Sequence, residues 1–153
     1  MPSAKKAAAK RLNYSEECRG HARARHAGPT LAAGPSIDAY LKSRFTPGSR
    51  NGTSMSAFKN KSDQDRCVAF AFTRAGDVAH KNCIVSSRQD RTTIKAGIGG
   101  ELGSITVRVV EKINGFLEGY DAHIREITMV VDRFDSSNEV IVTAYPSMTH
   151  RTR

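Results

Sequence analysis

Apolar positions along this chain fall into two rhythms, and the change from one to the other divides it in the middle. Ile37, Tyr40, Leu41 and Phe45 recur at three- and four-residue steps, which puts them on one face of a helix from Ile37 to about Phe45. Ser36 is placed to cap that helix, and Pro47-Gly48 to end it. Cys67, Val68, Ala71 and Phe72 repeat the pattern in a further helix, opened by Ser62 with Asp65 and broken at Gly76, before Val78 to Val85 continues. A short strand at Met55 to Phe58 lies between the two. Beyond residue 90 the pattern becomes β-rich: Thr92 to Ile98, Ile105 to Val110, Ile124 to Phe134 and Val140 to Tyr145 read as strands, and Phe134 to Asn138 joins the last two as a hairpin. Helices first and strands second predict an α+β fold with a mostly antiparallel sheet.

The last strand is the densest in chemistry. Val140, Ile141 and Val142 are β-branched strand formers, and Pro146, which lacks an N–H, is expected to end the strand. Side chains two apart share a face, so Thr143 and Tyr145 are expected to present a hydroxyl and a phenol together, with Ile141 behind them. At the other end, residues 1–12 are rich in Ala, Lys and Arg and read as a tail. Asn13 and Glu16 form a capping box for a helix from about Tyr14 to Ala27, stopped by Gly28-Pro29. That helix carries Arg19, His21, Arg23, Arg25 and His26; like charges at such spacing repel, so packing or a bound anion has to compensate. Gly48 to Thr53, all glycine and polar residues, reads as a mobile loop.

Composition sharpens this picture in two respects. The chain has 153 residues, enough for one domain with a core of its own, here residues 13–153. Its 24 Lys and Arg against 15 Asp and Glu give +9 and a pI near 9.8, a balance that favours polyanionic partners. Residues 1–50 hold ten cations and three carboxylates, whereas the remainder holds fourteen and twelve. The surplus therefore belongs to the N-terminal third. Cys18, Cys67 and Cys83 are odd in number and lack metal-ligand spacing, which argues against a disulfide framework and a zinc site, and the absence of a clustered His/Asp/Glu motif argues against a metal-dependent nuclease. There is no apolar run of membrane-spanning length and no signal-peptide core, so no membrane anchor is expected; the chain reads as cytoplasmic or as the terminal piece of a larger exported polypeptide. No P-loop, Rossmann glycine pattern or G-x-S-x-G elbow is present, and Gly97, Gly99, Gly100 and Gly103 lack the Lys-Ser/Thr that a nucleotide cradle needs. No cofactor is expected.

Four motifs, in order, resemble one family. Gly20-His21-Ala22-Arg23-Ala24-Arg25-His26 is similar to that family's first helix, and Asp38 to Phe45 to its second, with an acidic residue, a leucine and then an arginine. Ser54 to Phe58 with the following helix resembles its serine and phenylalanine turn, and Val142-Thr143-Ala144-Tyr145-Pro146 its terminal strand. The family is the ribonuclease A-like toxin domain at the C-termini of bacterial contact-dependent inhibition and related polymorphic toxins. The resemblance covers roughly residues 18 to 148, with a longer connection at Ala27 to Pro35 than is usual there. It implies a kidney-shaped fold similar to pancreatic ribonuclease without its disulfides, and a metal-independent ribonuclease whose site falls on His26, Arg44, Thr143 and Tyr145. It implies further that the domain is delivered to act in a target cell's cytoplasm and is held inactive in its producer by an immunity protein; with Cys18, Cys67 and Cys83 on separate elements, a reduced monomer is expected.

The implied chemistry suits these residue types. Cutting RNA without a metal needs a base for the 2′-hydroxyl proton, a donor for the leaving oxygen and positive charge on the phosphorane-like transition state. Histidine does proton work near neutral pH; Arg44 offers a fixed, forked charge for phosphate; Tyr145 and Thr143 can bond phosphate or a base edge. His21, Arg23 and Arg25 become RNA-binding candidates, and His80, His123 and His150 candidates for a second acid/base group. His21 and His26 lie five residues apart, about 140° around a helix, so only one can point squarely into a small site. The basic cleft is expected to be silenced by an acidic immunity protein. The rival reading is a non-catalytic RNA- or DNA-binding module, against which stands the near absence of aromatics in the first helix and of Trp in the chain.

Overall fold

A computed structural model describes Leu12, Tyr14 and residues 36–76, 84–88, 90–98, 102, 104–134 and 136–151, with the side chains of 85–88 and 151 excepted. Within these residues the elements are helix α1 (Ile37–Ser43), strand β1 (Ser54–Phe58), helix α2 (Lys61–Gly76), and strands β2 (Ile84–Arg88), β3 (Arg91–Gly97), β4 (Thr106–Ile113), β5 (Phe116–Asp132) and β6 (Val140–Arg151). All the strand pairings are antiparallel, in the order β1-β4-β5-β3-β2, with β6 also on β5. The fold is α+β with a mostly antiparallel sheet, as the two hydrophobic rhythms predict.

The long strand β5 organises the sheet. Its first half pairs with β4 and its second half with β3, while β6 runs along residues 122 to 132. Because Ala122 and His123 pair with both β4 and β6, and residues 126–132 with both β3 and β6, the strand β6 holds one edge of β5 and β4 and β3 share the other. The register slips at Arg125. Before it the even positions Ala122 and Ile124 are buried; after it the odd positions Ile127, Met129 and Val131 are. This bulge keeps both halves of β5 facing one core.

That core lies between the sheet and α2, whose Cys67, Val68, Ala71, Phe72 and Ala75 pack against Phe58, Val107, Ile94, Met129 and Ile141. Burial pushes the Cys67 thiol up to about 12, so it stays protonated. The cap of α2 is Asn60, whose side chain accepts from the Asp63 N–H at 2.8 Å, and not Ser62. An Asn two residues earlier lets the chain leave β1 and enter the helix within two residues. The opposite face of the β1–β4 arm is covered by α1 through Tyr40, Leu41, Ala57 and Val110, with Ile37, Met55, Phe45 and Leu117 around them. Ser36 caps α1 as expected, accepting from the Ala39 N–H at 3.1 Å, but the helix ends at Ser43, with Arg44 as its C-cap.

Several sequence expectations change here. Tyr14 forms a parallel bridge to Ile141, and its phenol donates to Asp65 at 2.8 Å; it is not the first residue of a helix. The remainder of the expected helix up to Ala27 lies outside the described residues, as do Cys18, Cys83 and residues 77–83. Val85 belongs to the strand β2 and does not continue α2. The stretch Gly48 to Thr53 is tied to the β4–β5 hairpin: the Gly52 N–H donates to the Lys112 carbonyl, the Lys112 N–H to the Thr53 carbonyl, Lys112 Nζ to the Ser49 carbonyl, and the Gly115 N–H to the Asn51 side chain. Asn114 and Gly115, at φ 50 and 84, make the tight turn that starts β5 eight residues before the expected Ile124.

Candidate functional site

Strand β6 continues through Pro146 to Arg151, where the sequence predicts a stop. The proline is tolerated because the outer edge of β6 has no long partner strand among the described residues and the ladder is irregular next to it, with Ser147 left out of register. A second irregularity leaves Val142 unpaired. As a result Ile141 and Ala144 face the core, opposite Val131 and Met129, while Thr143 and Tyr145 stand opposite Val130 and Thr128 on the other face. Thr143 and Tyr145 do share a face, as expected. Ile141 is not behind them, because the bulge turns it over.

Tyr145 lines an open polar cleft of about 760 Å³, together with Arg44 from the end of α1. Two of the four residues picked out by the resemblance thus come from opposite ends of the described chain to one cavity. Thr143 lies beside Tyr145 but below the surface, 6% exposed, and its hydroxyl has no hydrogen-bond partner among the described residues. The same holds for Thr128, which stands across from Tyr145. His26, His21, Arg23 and Arg25 lie outside the described residues. His123 and His150 sit directly opposite each other on β5 and β6, and neither lines the cleft.

The other walls were not legible as a motif, because they come from five strands. Ser54 and Ser56 of β1, Lys95 of β3, Glu111 of β4, Tyr120 of β5 and Ser147 and Thr149 of β6 all contribute. The cleft forms where the core-facing stripe of the β1–β4–β5 arm runs on past the core and turns polar. There β6 crosses close to β1, and Ser56 Oγ donates to the Pro146 carbonyl at 3.3 Å. From the core side, fully buried Gln64 donates to the Ala144 carbonyl at 3.0 Å and so fixes the backbone between Thr143 and Tyr145.

Charge in the cleft is unbalanced in a useful way. Neither Arg44 nor Lys95 forms an ion pair among the described residues. Beside the cleft, Arg108 makes a forked pair with Asp38 at 2.8 and 3.0 Å and reaches Asp121 at 3.2 Å, which Lys59 also meets at 3.0 Å. The hydrogen bond from Arg108 holds the Asp38 carboxyl below its ordinary range, and that from Lys59 does the same for Asp121. This network pins α1 to β4 and thereby places Arg44. An arginine and a lysine without an ion pair among the described residues, beside hydroxyls, a phenol and the single carboxylate of Glu111, make a site that can bind an oxyanion by charge and hydrogen bonds. Among the described residues no group of three or more His, Cys, Asp or Glu could hold a metal, and no helix is long and apolar enough to cross a membrane.

No family model matches the chain, and no curated protein or solved structure matches it either.

Proposed function

We propose that this chain is a metal-independent endoribonuclease, a ribonuclease A-like toxin domain of the kind carried by bacterial polymorphic toxins. One observation supports this above the others: Arg44, without an ion pair among the described residues, and Tyr145 line one open cleft, with Thr143 next to Tyr145 on the same face. In this reading His26 takes the proton from the RNA 2′-hydroxyl, and Arg44 stabilises the charge that builds on the phosphorane-like transition state. Tyr145 donates to a phosphate oxygen, and Thr143 holds phosphate or a base edge. The need for a 2′-hydroxyl excludes DNA as a substrate. His21, Arg23 and Arg25 assist by binding the RNA backbone. The domain is delivered by a larger effector into the cytoplasm of a rival cell, acts there as a monomer, and is neutralised in its producer by an acidic immunity protein.

The test is to incubate the purified chain with total RNA in EDTA, alongside a folded His26→Ala variant. Wild type is expected to cut. The variant should lose on the order of 10²- to 10⁴-fold in rate, the usual contribution of a histidine in acid/base work. Binding of RNA with no cleavage by wild type would establish instead the non-catalytic RNA-binding module.

A further inference from the structure

The cleft contains one group that phosphate binding does not explain. Glu111 lines it together with Arg44 and Lys95, yet it forms no ion pair among the described residues; its Oε1 accepts from the Tyr120 phenol at 2.8 Å. In the ladder Glu111 stands between Ser54 and Glu118, and a carboxylate opposite a carboxylate costs stability in a sheet. A negative charge also repels an RNA phosphate. Tyr120 holds this charge in a fixed place, since its ring packs against the main core while its hydroxyl reaches the cleft. What this corner offers a ligand is two acceptor oxygens, one already oriented, with the Ser54 hydroxyl directly across the strands from it.

Only one RNA base matches a carboxylate with two adjacent donors. Guanine presents N1–H and the N2 amino group side by side, with O6 next to them as an acceptor. Adenine and cytosine present one amino group beside a bare ring nitrogen, which the second carboxylate oxygen repels, and uracil presents a single N–H between two carbonyls. We propose that Glu111, held by Tyr120, reads guanine on its Watson–Crick edge, with Ser54 positioned to donate to O6, and so gives the cleft a guanine preference. This rests on the ribonuclease reading above, in which the phosphate lies at Arg44 and Tyr145 and the base is turned towards the β1–β4 arm.

The test is calorimetric binding of the 3′-monophosphates of guanosine, adenosine, cytidine and uridine to the purified chain, with cleavage of total RNA in EDTA run in parallel. A bidentate base contact discriminates by roughly 5- to 150-fold, so the guanosine nucleotide should bind tighter than the others by a factor in that range. Glu111→Gln should remove most of this preference, weakening the guanosine nucleotide while the other three, relieved of the carboxylate's repulsion, bind as well as before or tighter. Tyr120→Phe, which keeps the carboxylate but releases it, should weaken the preference in the same direction and serves if Glu111→Gln does not fold. If all four nucleotides bind alike, or Glu111→Gln keeps the preference, while RNA is still cut, the base subsite is wrong and the ribonuclease stands. A Glu111→Gln variant that binds nucleotides normally but cuts all RNA more slowly would mean that Glu111 acts on the reacting atoms, which also overturns the subsite. Absence of both nucleotide binding and cleavage defeats the subsite and the ribonuclease together.

Discussion

Arg44 owes its place to a single local event, the end of α1. As C-cap it has αR backbone geometry, its N–H donating to the Leu41 carbonyl and the next N–H, of Phe45, to that of Lys42, and its side chain leaves the helix towards the cleft. Arg44→Ala should therefore cost on the order of 10²- to 10³-fold in RNA cleavage with little loss of fold, and Arg44→Lys should restore only part, because an ammonium lacks the fork. Tyr145→Phe should be milder, since it keeps the ring and removes one hydrogen bond. Thr143 gives a sharper contrast. A buried hydroxyl with no partner costs about 1–3 kcal/mol, so Thr143→Val should melt at an equal or higher temperature while cutting RNA more slowly. Parallel melts and initial rates check all four variants. Unchanged rates for Thr143→Val would limit that residue to sheet packing.

At the scale of elements, the site depends on how α1 docks on β4. Gly119 makes room for the forked Asp38–Arg108 pair: a Cβ there would lie 2.7 Å from Asp38 Oδ2 and 3.0 Å from Arg108 Nη2. Gly119→Ala should push Asp38 out of the fork, lower the melting temperature and shift Arg44, slowing cleavage although residue 119 does not line the cleft. Once Asp38 is already Ala, the same change should cost much less, and a double-mutant cycle reads this coupling. Acid should act through the same pair. The folded-state pKa values of Asp38 and Asp121 are depressed, so their contribution is fully present above the unfolded carboxylate range, near pH 4, and is lost as pH falls through the lower folded values. Melting temperatures followed from pH 6 downwards should fall below about pH 4, less steeply in Asp38→Asn. Because both carboxylates are partly exposed, salt should blunt the effect.

For the whole molecule the deciding quantity is the charge of +9, concentrated in the first 50 residues. Partner binding should be steered by that field. An acidic immunity protein is expected to associate fast and lose association rate as salt rises, as stopped-flow mixing over a salt series would measure. A basic partner, or binding indifferent to salt, would refute this. The sequence by itself determined the α+β order, the Ser36 cap, the buried face of both helices, and Thr143 and Tyr145 on one side of a strand. These follow from periodicity and capping, which act between near neighbours in the chain. Tertiary structure alone decided the rest. Bulges at Val142 and Arg125 fix which residues face the core, and β5 starts at Phe116, behind the Asn114-Gly115 turn, because it pairs along its whole length with β4 and β3. The cleft draws Lys95, Glu111 and Tyr120 to Arg44 from separate strands. No spacing rule links such residues, because their neighbourhood is set by sheet register and by the packing of α1, both of which come into being only when distant segments meet.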